Sequence, residues 1–432
     1  MQTIQIYQLK DFVGQEVKLR GWVRNWRKQS SKLRFVVLRD GTGEVQCVAH
    51  KPDMGEEAFE AVKALSIETS LEVWGTVGRH PRREGVFEIA LKRVVPMQVA
   101  VDYPIGKKEH GPDFLLGQRH LWLRSSRQWA QLRIRHTVYS AIEGFLNGQG
   151  FIRFDSPILT PSSCEDTTTL FEVPYFDMGS AYLSQSGQLY LEAGIMSLRR
   201  VYDFGPVFRA EKSKTRKHLT EFWMMDAEAA FVEHEENMQI QEDLIRHIIR
   251  TVLERCATEL ETLERDTDTL RRADAPFPRW THRQAIDYLK SKGCDIDYSD
   301  DFGAAEEEML TAESDTPVFI ERWPAEIKAF YMRRDPESPG LALCSDLLAP
   351  EGFGEIIGGS ERETDHDELQ SRMKSLGMPM DEYQWYLDLR KYGSVPHSGF
   401  GIGLERTVGW MAGSRHVREC IPFPRMISRV TP

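Results

Sequence analysis

Between Glu16 and Val95 the chain is cut into short segments in which apolar and polar residues alternate: "EVKLRGWVRNWR", "KLRFVVLRDGTGEVQCVAH", "SLEVWGTVGRH" and "VFEIALKRVVPM". A two-residue period is the mark of a strand buried on one face, and Asp40-Gly41 with Gly43 supplies hairpin-turn chemistry. About five such strands follow one another before any helical pattern begins, so the first hundred residues are predicted to form a small all-β unit of their own.

That count and size suit a barrel of the OB type, whose face binds oligonucleotides. Charge agrees. The whole chain of 432 residues carries a formal net charge of -11, but residues 1–100 hold 16 Lys and Arg against 12 Asp and Glu, a net of +4 that leaves -15 for the rest. The first unit is therefore the better partner for a polyanion. Trp22, Trp26 and Phe35 lie among Arg20, Arg24, Arg27, Lys28, Lys32 and Arg34. These rings either stack on bases while the cations meet phosphates, or, for Trp22 and Phe35, fill the barrel core.

At 41% hydrophobic and 28% charged residues the chain can bury a large core, and no apolar run approaches the roughly 20 residues that cross a bilayer. The start "MQTIQIYQLKDF" lacks the zones of a signal peptide, which points to the cytoplasm. Cys47, Cys164, Cys256, Cys294, Cys344 and Cys420 are scattered singly, so neither a zinc site nor a disulfide framework is expected. Residues 98–118 read as a hinge, and a helix is predicted from Ser126 to Asn147 with Leu132, Val138, Ile142 and Phe145 on one stripe. "GFIRFDSPILTP" then reads as a strand, and residues 234–310 as an insertion with solvated charge.

Three stretches carry the chemistry: "GFIRFDSPILTP" after its helix, the basic run in "FRAEKSKTRKHLTEFWMMDAE", and "HSGFGIGLERTVGWMAG". No GxxxxGK[ST] loop is present, so a nucleotide is not held in the P-loop manner. In this order the three resemble the signature motifs of class II aminoacyl-tRNA synthetases, and the N-terminal barrel resembles the subgroup of aspartyl, asparaginyl and lysyl enzymes. The resemblance covers most of the chain. It implies an α+β protein: an OB-fold anticodon-binding domain over 1–97, a linker, and over 119–432 a catalytic body of antiparallel sheet flanked by helices. It also implies a homodimer built around the first motif with Pro157.

The resemblance further implies roles for residues. Arg209 would meet the α-phosphate of ATP and Glu211 the adenine amino group, with Arg216, Lys217 and His218 at the outer phosphates and Phe222 on the purine. Arg406 would stack on adenine beside Gly403 and Glu405. Asp346 and Glu355 would hold Mg2+, although Gly358 stands where aspartyl relatives have a serine. Glu165, Gln185, Ser186 and Gln188 would hold the amino acid's backbone, and Phe35, Gln46 and Arg27 the anticodon.

The choice of amino acid follows from charge. A pocket for aspartate wants two cations, one for asparagine a cation and an acceptor. Aspartyl relatives have a lysine where this chain has Leu191. That leaves Arg362 for the side-chain carbonyl, with Asp226, or failing it Glu228, accepting from the amide. The expectation is ATP-dependent activation of L-asparagine and its transfer to tRNA(Asn). A non-discriminating aspartyl enzyme, a paralogue binding RNA without charging it, and an amide-forming relative remain the alternatives.

Overall fold

The computed structural model describes residues 2–106, 108–164, 169–212 and 215–432. Contacts divide the chain into Met1–Leu115 and Leu116–Pro432. In the first unit, strands Glu16–Lys28, Leu33–Arg39 and Glu44–His50 form a meander. Phe87–Gln98 joins Glu44–His50 in parallel and Ser70–Arg79 in antiparallel, and Ser70–Arg79 returns to Glu16–Lys28. The sheet closes into a five-stranded barrel, with Leu19, Val23, Leu38, Cys47, Leu71 and Ile89 sealed inside. Closure removes the unpaired edges that an open sheet of this size would expose.

The second unit is built on eight strands in the order 279–281, 318–321, 344–349, 354–361, 397–403, 221–230, 200–208 and 152–153. The six central strands are antiparallel, while Arg279–Thr281 and Ile152–Arg153 join the two edges in parallel. The helix Ser126–Gly148 starts with the Ser125 side chain accepting from the Gln128 amide, an N-cap, and buries Ala130, Ile134, Val138, Ala141, Ile142 and Leu146. Ile134 thus takes the place expected of Leu132, which is half-buried.

One expectation is corrected. "GFIRFDSPILTP" is not one strand: Ile152–Arg153 joins the central sheet and Leu159–Thr160 a separate three-stranded one, with Pro157, which has no N–H for a ladder, between them. Residues 234–310, expected as an insertion on the catalytic body with solvated charge, also supply part of its core. Helix His234–Arg255 drives Met238, Leu244, Ile245, Ile248, Ile249 and Val252 into the main core, a burial that solvated charge alone would not give. The apolar stripe of that helix was visible; that it faces the sheet was not.

The register of the central sheet makes one cross-strand row of Asp346, Gly358, Gly401, Asp226 and Asp203. A Cβ on Gly401 would lie 2.6 Å from Asp226 Oδ1, and one on Gly399 would lie 2.0 Å from Glu228 Oε1. The alternate glycines of "SGFGIG" are the floor over which these carboxylates lie. Asp203 and Asp226 sit directly opposite each other, and burial together with the Asp226 charge pushes the Asp203 carboxyl up to about 8.

Two outcomes follow from this packing. Ile248→Ala is expected to cost about 2–5 kcal/mol in denaturant unfolding of the body, because its site is sealed and has no room to collapse. For Asp203 the folded value lies above the ordinary carboxyl value of about 4, so the native state holds a proton that the unfolded chain releases. The stability this contributes is present at low pH and is lost as pH rises toward about 8. Asp203→Asn has no such loss, and its stability relative to the parent is expected to rise between pH 5 and pH 8 in urea titrations.

Candidate active site

The basic run occupies the connection between the antiparallel strands Arg200–Phe208 and Glu221–Ala230. Arg209, Glu211, Lys217, His218 and Phe222 line one cleft, and Glu355, Gly401, Gly403, Glu405 and Arg406 close its other side. The Arg209 guanidinium lies 5.6 Å from the Phe222 ring centre. Burial, helped by Arg406, Arg209 and Lys217, lowers the His218 imidazole, so this ring is less readily charged than its neighbours. Arg216 is exposed, its carbonyl accepting from Val417 N–H.

Arg406 opens the helix Leu404–Ala412 and donates to the Glu355 carbonyl at 2.9 Å and to Glu355 Oε2 at 3.2 Å. Glu405 turns the opposite way. It accepts from Trp223 N–H at 3.0 Å and from Arg135 at 2.7 Å, tying the second and third signature segments to the helix that precedes the first. Its carboxylate is thus spent on structure, although it borders the cleft.

Asp346 and Glu355 face each other near Gly358, where a Cβ would lie 3.2 Å from Glu355 Oε1 and 3.6 Å from Asp346 Oδ1. The second oxygen of each is taken: Lys328 Nζ donates to Asp346 Oδ2 at 2.8 Å, and Arg406 holds Glu355 Oε2. Two carboxylate oxygens therefore converge, a donor set that fits Mg2+ completed by phosphate and water. Burial raises Asp346 to about 6, with Glu355 adding to the rise and Lys328 opposing it. Although the cleft walls desolvate Glu355, Arg406, Lys328 and Arg209 hold it below the ordinary range.

A second cleft shares Arg209, Met224, Glu355 and Gly401 with the first and continues past Ser186, Gln188, Asp226, Lys328 and Arg362. Arg362 donates to Glu228 at 2.5 Å and to Ser360 Oγ at 2.6 Å. Burial pushes the Glu228 carboxyl up and Arg362 pulls it back down, with both of its oxygens within hydrogen-bond distance of the guanidinium. Asp226 Oδ2 accepts from Ser186 Oγ at 2.8 Å and from Gly187 N–H at 2.9 Å. Gln185 is buried with its amide nitrogen on Thr169 Oγ1 at 2.9 Å. Leu191 packs with Ile195, Val201 and Ala230, and the buried charge pair at this cleft is Arg362–Glu228. Glu165 lies outside the described residues.

On the barrel, Trp22 and Trp26 are exposed and Phe35 is half-buried on the outer face, so these rings are not the core. Arg27 and Phe35 are cross-strand partners with the guanidinium 4.3 Å from the ring centre. Gln46, opposite Val37 on the next strand, shares that face.

Two residues at the clefts carried no signal in the sequence. Lys328 follows a short 3-10 turn and lies 3.7 Å from the Trp323 ring centre as well as against Asp346. Glu307, from the acidic stretch read as solvated, accepts from Lys217 Nζ at 2.9 Å, and burial raises its carboxyl. Neither belongs to a spaced motif, and only the fold brings them to the cleft.

Residues 17–97 match the OB-fold nucleic acid binding domain, and residues 111–427 match the family of tRNA synthetases class II (D, K and N). A curated relative from Roseiflexus sp. (strain RS-1), called asparagine--tRNA ligase, is 52% identical over 425 residues, 97% of this chain and 96% of its own. One of the same name from Chloroflexus aurantiacus (strain ATCC 29366 / DSM 635 / J-10-fl) is 50% identical over 436 residues, 100% and 99% of the two chains. The crystal structure of asparaginyl-tRNA synthetase from Pyrococcus horikoshii, complexed with asparaginyl-adenylate, superposes with a TM-score of 0.95 at 42% identity and covers 99% of each chain. With the second and third signature segments and the helix ahead of the first joined through Glu405, the chain belongs to the class II tRNA synthetases of the D, K and N group.

Proposed function

We propose that this chain joins L-asparagine to tRNA(Asn), activating it first with ATP as asparaginyl-adenylate. The observation that carries the choice of amino acid is the Arg362–Glu228 pair. Arg362 keeps a donor for a side-chain carbonyl, yet its charge is already matched within the protein, so a second carboxylate from aspartate would enter a site with no surplus cation. The Pyrococcus horikoshii relative holds asparaginyl-adenylate.

The first cleft takes ATP. Arg209 pairs the α-phosphate through its planar fork, Phe222 and Arg406 sandwich the adenine, Glu211 accepts from its amino group, and Lys217 with His218 and Arg216 meets the outer phosphates. The second cleft takes asparagine, with Gln188 and Ser186 at its backbone, joined by Gln185 and Glu165, and with Arg362 and Asp226 at its side chain. Asp346 and Glu355 hold Mg2+, which when bound neutralises charge on the phosphates. The amino acid's carboxylate attacks the α-phosphorus in line as pyrophosphate leaves; the tRNA ribose hydroxyl then attacks the carbonyl carbon of the adenylate, forming the ester as AMP leaves and the hydroxyl proton is lost. No side chain acts as a nucleophile, so positioning and charge neutralisation supply the rate.

The outer barrel face reads the anticodon through Phe35, Gln46 and Arg27. The chain works as a homodimer; the exposure of Ile152, Ile158, Leu159 and Phe231 around the first signature segment supports this. The work belongs to the cytoplasm, and among the described residues no helix is long and apolar enough to cross a membrane.

In amino-acid-dependent pyrophosphate exchange, asparagine is expected to support turnover and aspartate not; preference for aspartate would overturn the assignment. Glu228→Gln frees the charge of Arg362 and is expected to narrow the asparagine-to-aspartate ratio of kcat/KM by on the order of tenfold. Phe35→Ala is expected to leave exchange intact while weakening tRNA charging by about 1–3 kcal/mol in kcat/KM for tRNA, the worth of one stacked base.

A further inference from the structure

Behind the second cleft lies a carboxylate that the account above does not use. Glu192 stands one turn after Gln188 on the helix Gln188–Leu198 and is fully buried. Four side chains from three elements converge on it. Gln188 Nε2 donates at 3.1 Å, Tyr386 hydroxyl at 2.8 Å, Arg390 Nη2 at 2.5 Å, and His397 Nε2 lies at 3.0 Å. Tyr386 and Arg390 come from the helix Gln384–Lys391, and His397 from the first residue of the strand that carries the glycine floor. Burial works against charge here, but Arg390 and His397 hold Glu192 well below the ordinary carboxylate range.

An ionised carboxylate only accepts hydrogen bonds, so the group that Gln188 turns toward it must be the amide nitrogen. The carbonyl oxygen is then the end left for the cleft that Gln188 lines. We propose that Glu192 is a positioning residue for the amino-acid site: it fixes the Gln188 amide so that its carbonyl oxygen accepts from the ammonium group of the substrate. This rests on the reading of the second cleft as the asparagine site. A neutral group at position 192 would allow the Gln188 amide to turn over, because an amide or an acid donates as well as accepts. The ammonium would then meet two N–H donors in place of an acceptor.

The test is a double-mutant cycle read by asparagine-dependent pyrophosphate exchange. Glu192→Gln is expected to raise KM for asparagine about tenfold while kcat and KM for ATP move less than about twofold, the loss of one charge-directed hydrogen bond. In a Gln188→Met background the same substitution is expected to change KM for asparagine by less than about twofold, since the group it positions is gone. Succinamate, which lacks the ammonium, serves as the competing ligand: its inhibition constant is expected to be the same within about twofold in the parent and in Glu192→Gln. An equal rise in KM in both backgrounds, a fall in kcat without a rise in KM, or a matching loss of succinamate binding would each overturn the proposal in favour of a purely structural role. Should Glu192→Gln fail to fold, Tyr386→Phe removes one of the donors that hold Glu192 and enters the same cycle, with a rise of about threefold expected in the parent background and none in Gln188→Met. Absence of asparagine-dependent exchange in the unsubstituted protein would sink the activity itself, and this inference with it, before any variant is compared.

Discussion

The register that sets Asp226 opposite Gly401 and Glu228 opposite Gly399 is the constraint on which the clefts depend. Side chains of paired strands crowd one another on a shared face, and large carboxylates have room to lie across a neighbour only where that neighbour has no Cβ. A slip of one residue would send Asp226 and Glu228 to the opposite face, where the helices Ser126–Gly148 and His234–Arg255 pack. The row continues through Gly358 to Asp346, so five adjacent strands share in placing the acids.

Charges gathered this closely in a partly dry cleft must be matched. The chain does so pair by pair: Arg362 with Glu228, Lys328 with Asp346, Lys217 with Glu307, and Arg406 with Glu355. The cations are thereby held in place before any phosphate arrives, which lowers the reorganisation that binding requires. The same matching separates the two clefts in character. In the first cleft the pair Arg406–Glu355 keeps part of its surface open, whereas Arg362 and Glu228 are both buried at the second.

Much of this was legible from residue order. Alternation in 16–95 gave the barrel, and the order of the three signature stretches gave the family, with Arg406 among the groups it implies. Other features were not. Glu307 sits in "GAAEEEML", a stretch that differs in no way from a solvated charged face until Lys217 is seen to reach it. Lys328 stands in no spaced pattern. That Leu191 joins an apolar cluster was not legible either, because the direction a helical side chain takes depends on what the helix packs against. Glu405 sat beside Arg406 in the same motif, but adjacent positions on a helix point apart, and it turned inward to Arg135 and Trp223.

The sequence by itself determined the barrel, the long helix after Ser125, the family and the identity of the groups that could meet a nucleotide, since period, turn residues and motif order are local properties of the chain. Which of those groups meet, and which carboxylate is paired with which cation, was decided only by the tertiary structure. Charge pairing acts over a few ångströms, and residues as far apart as Glu228 and Arg362 come within that range only once the sheet has fixed its register.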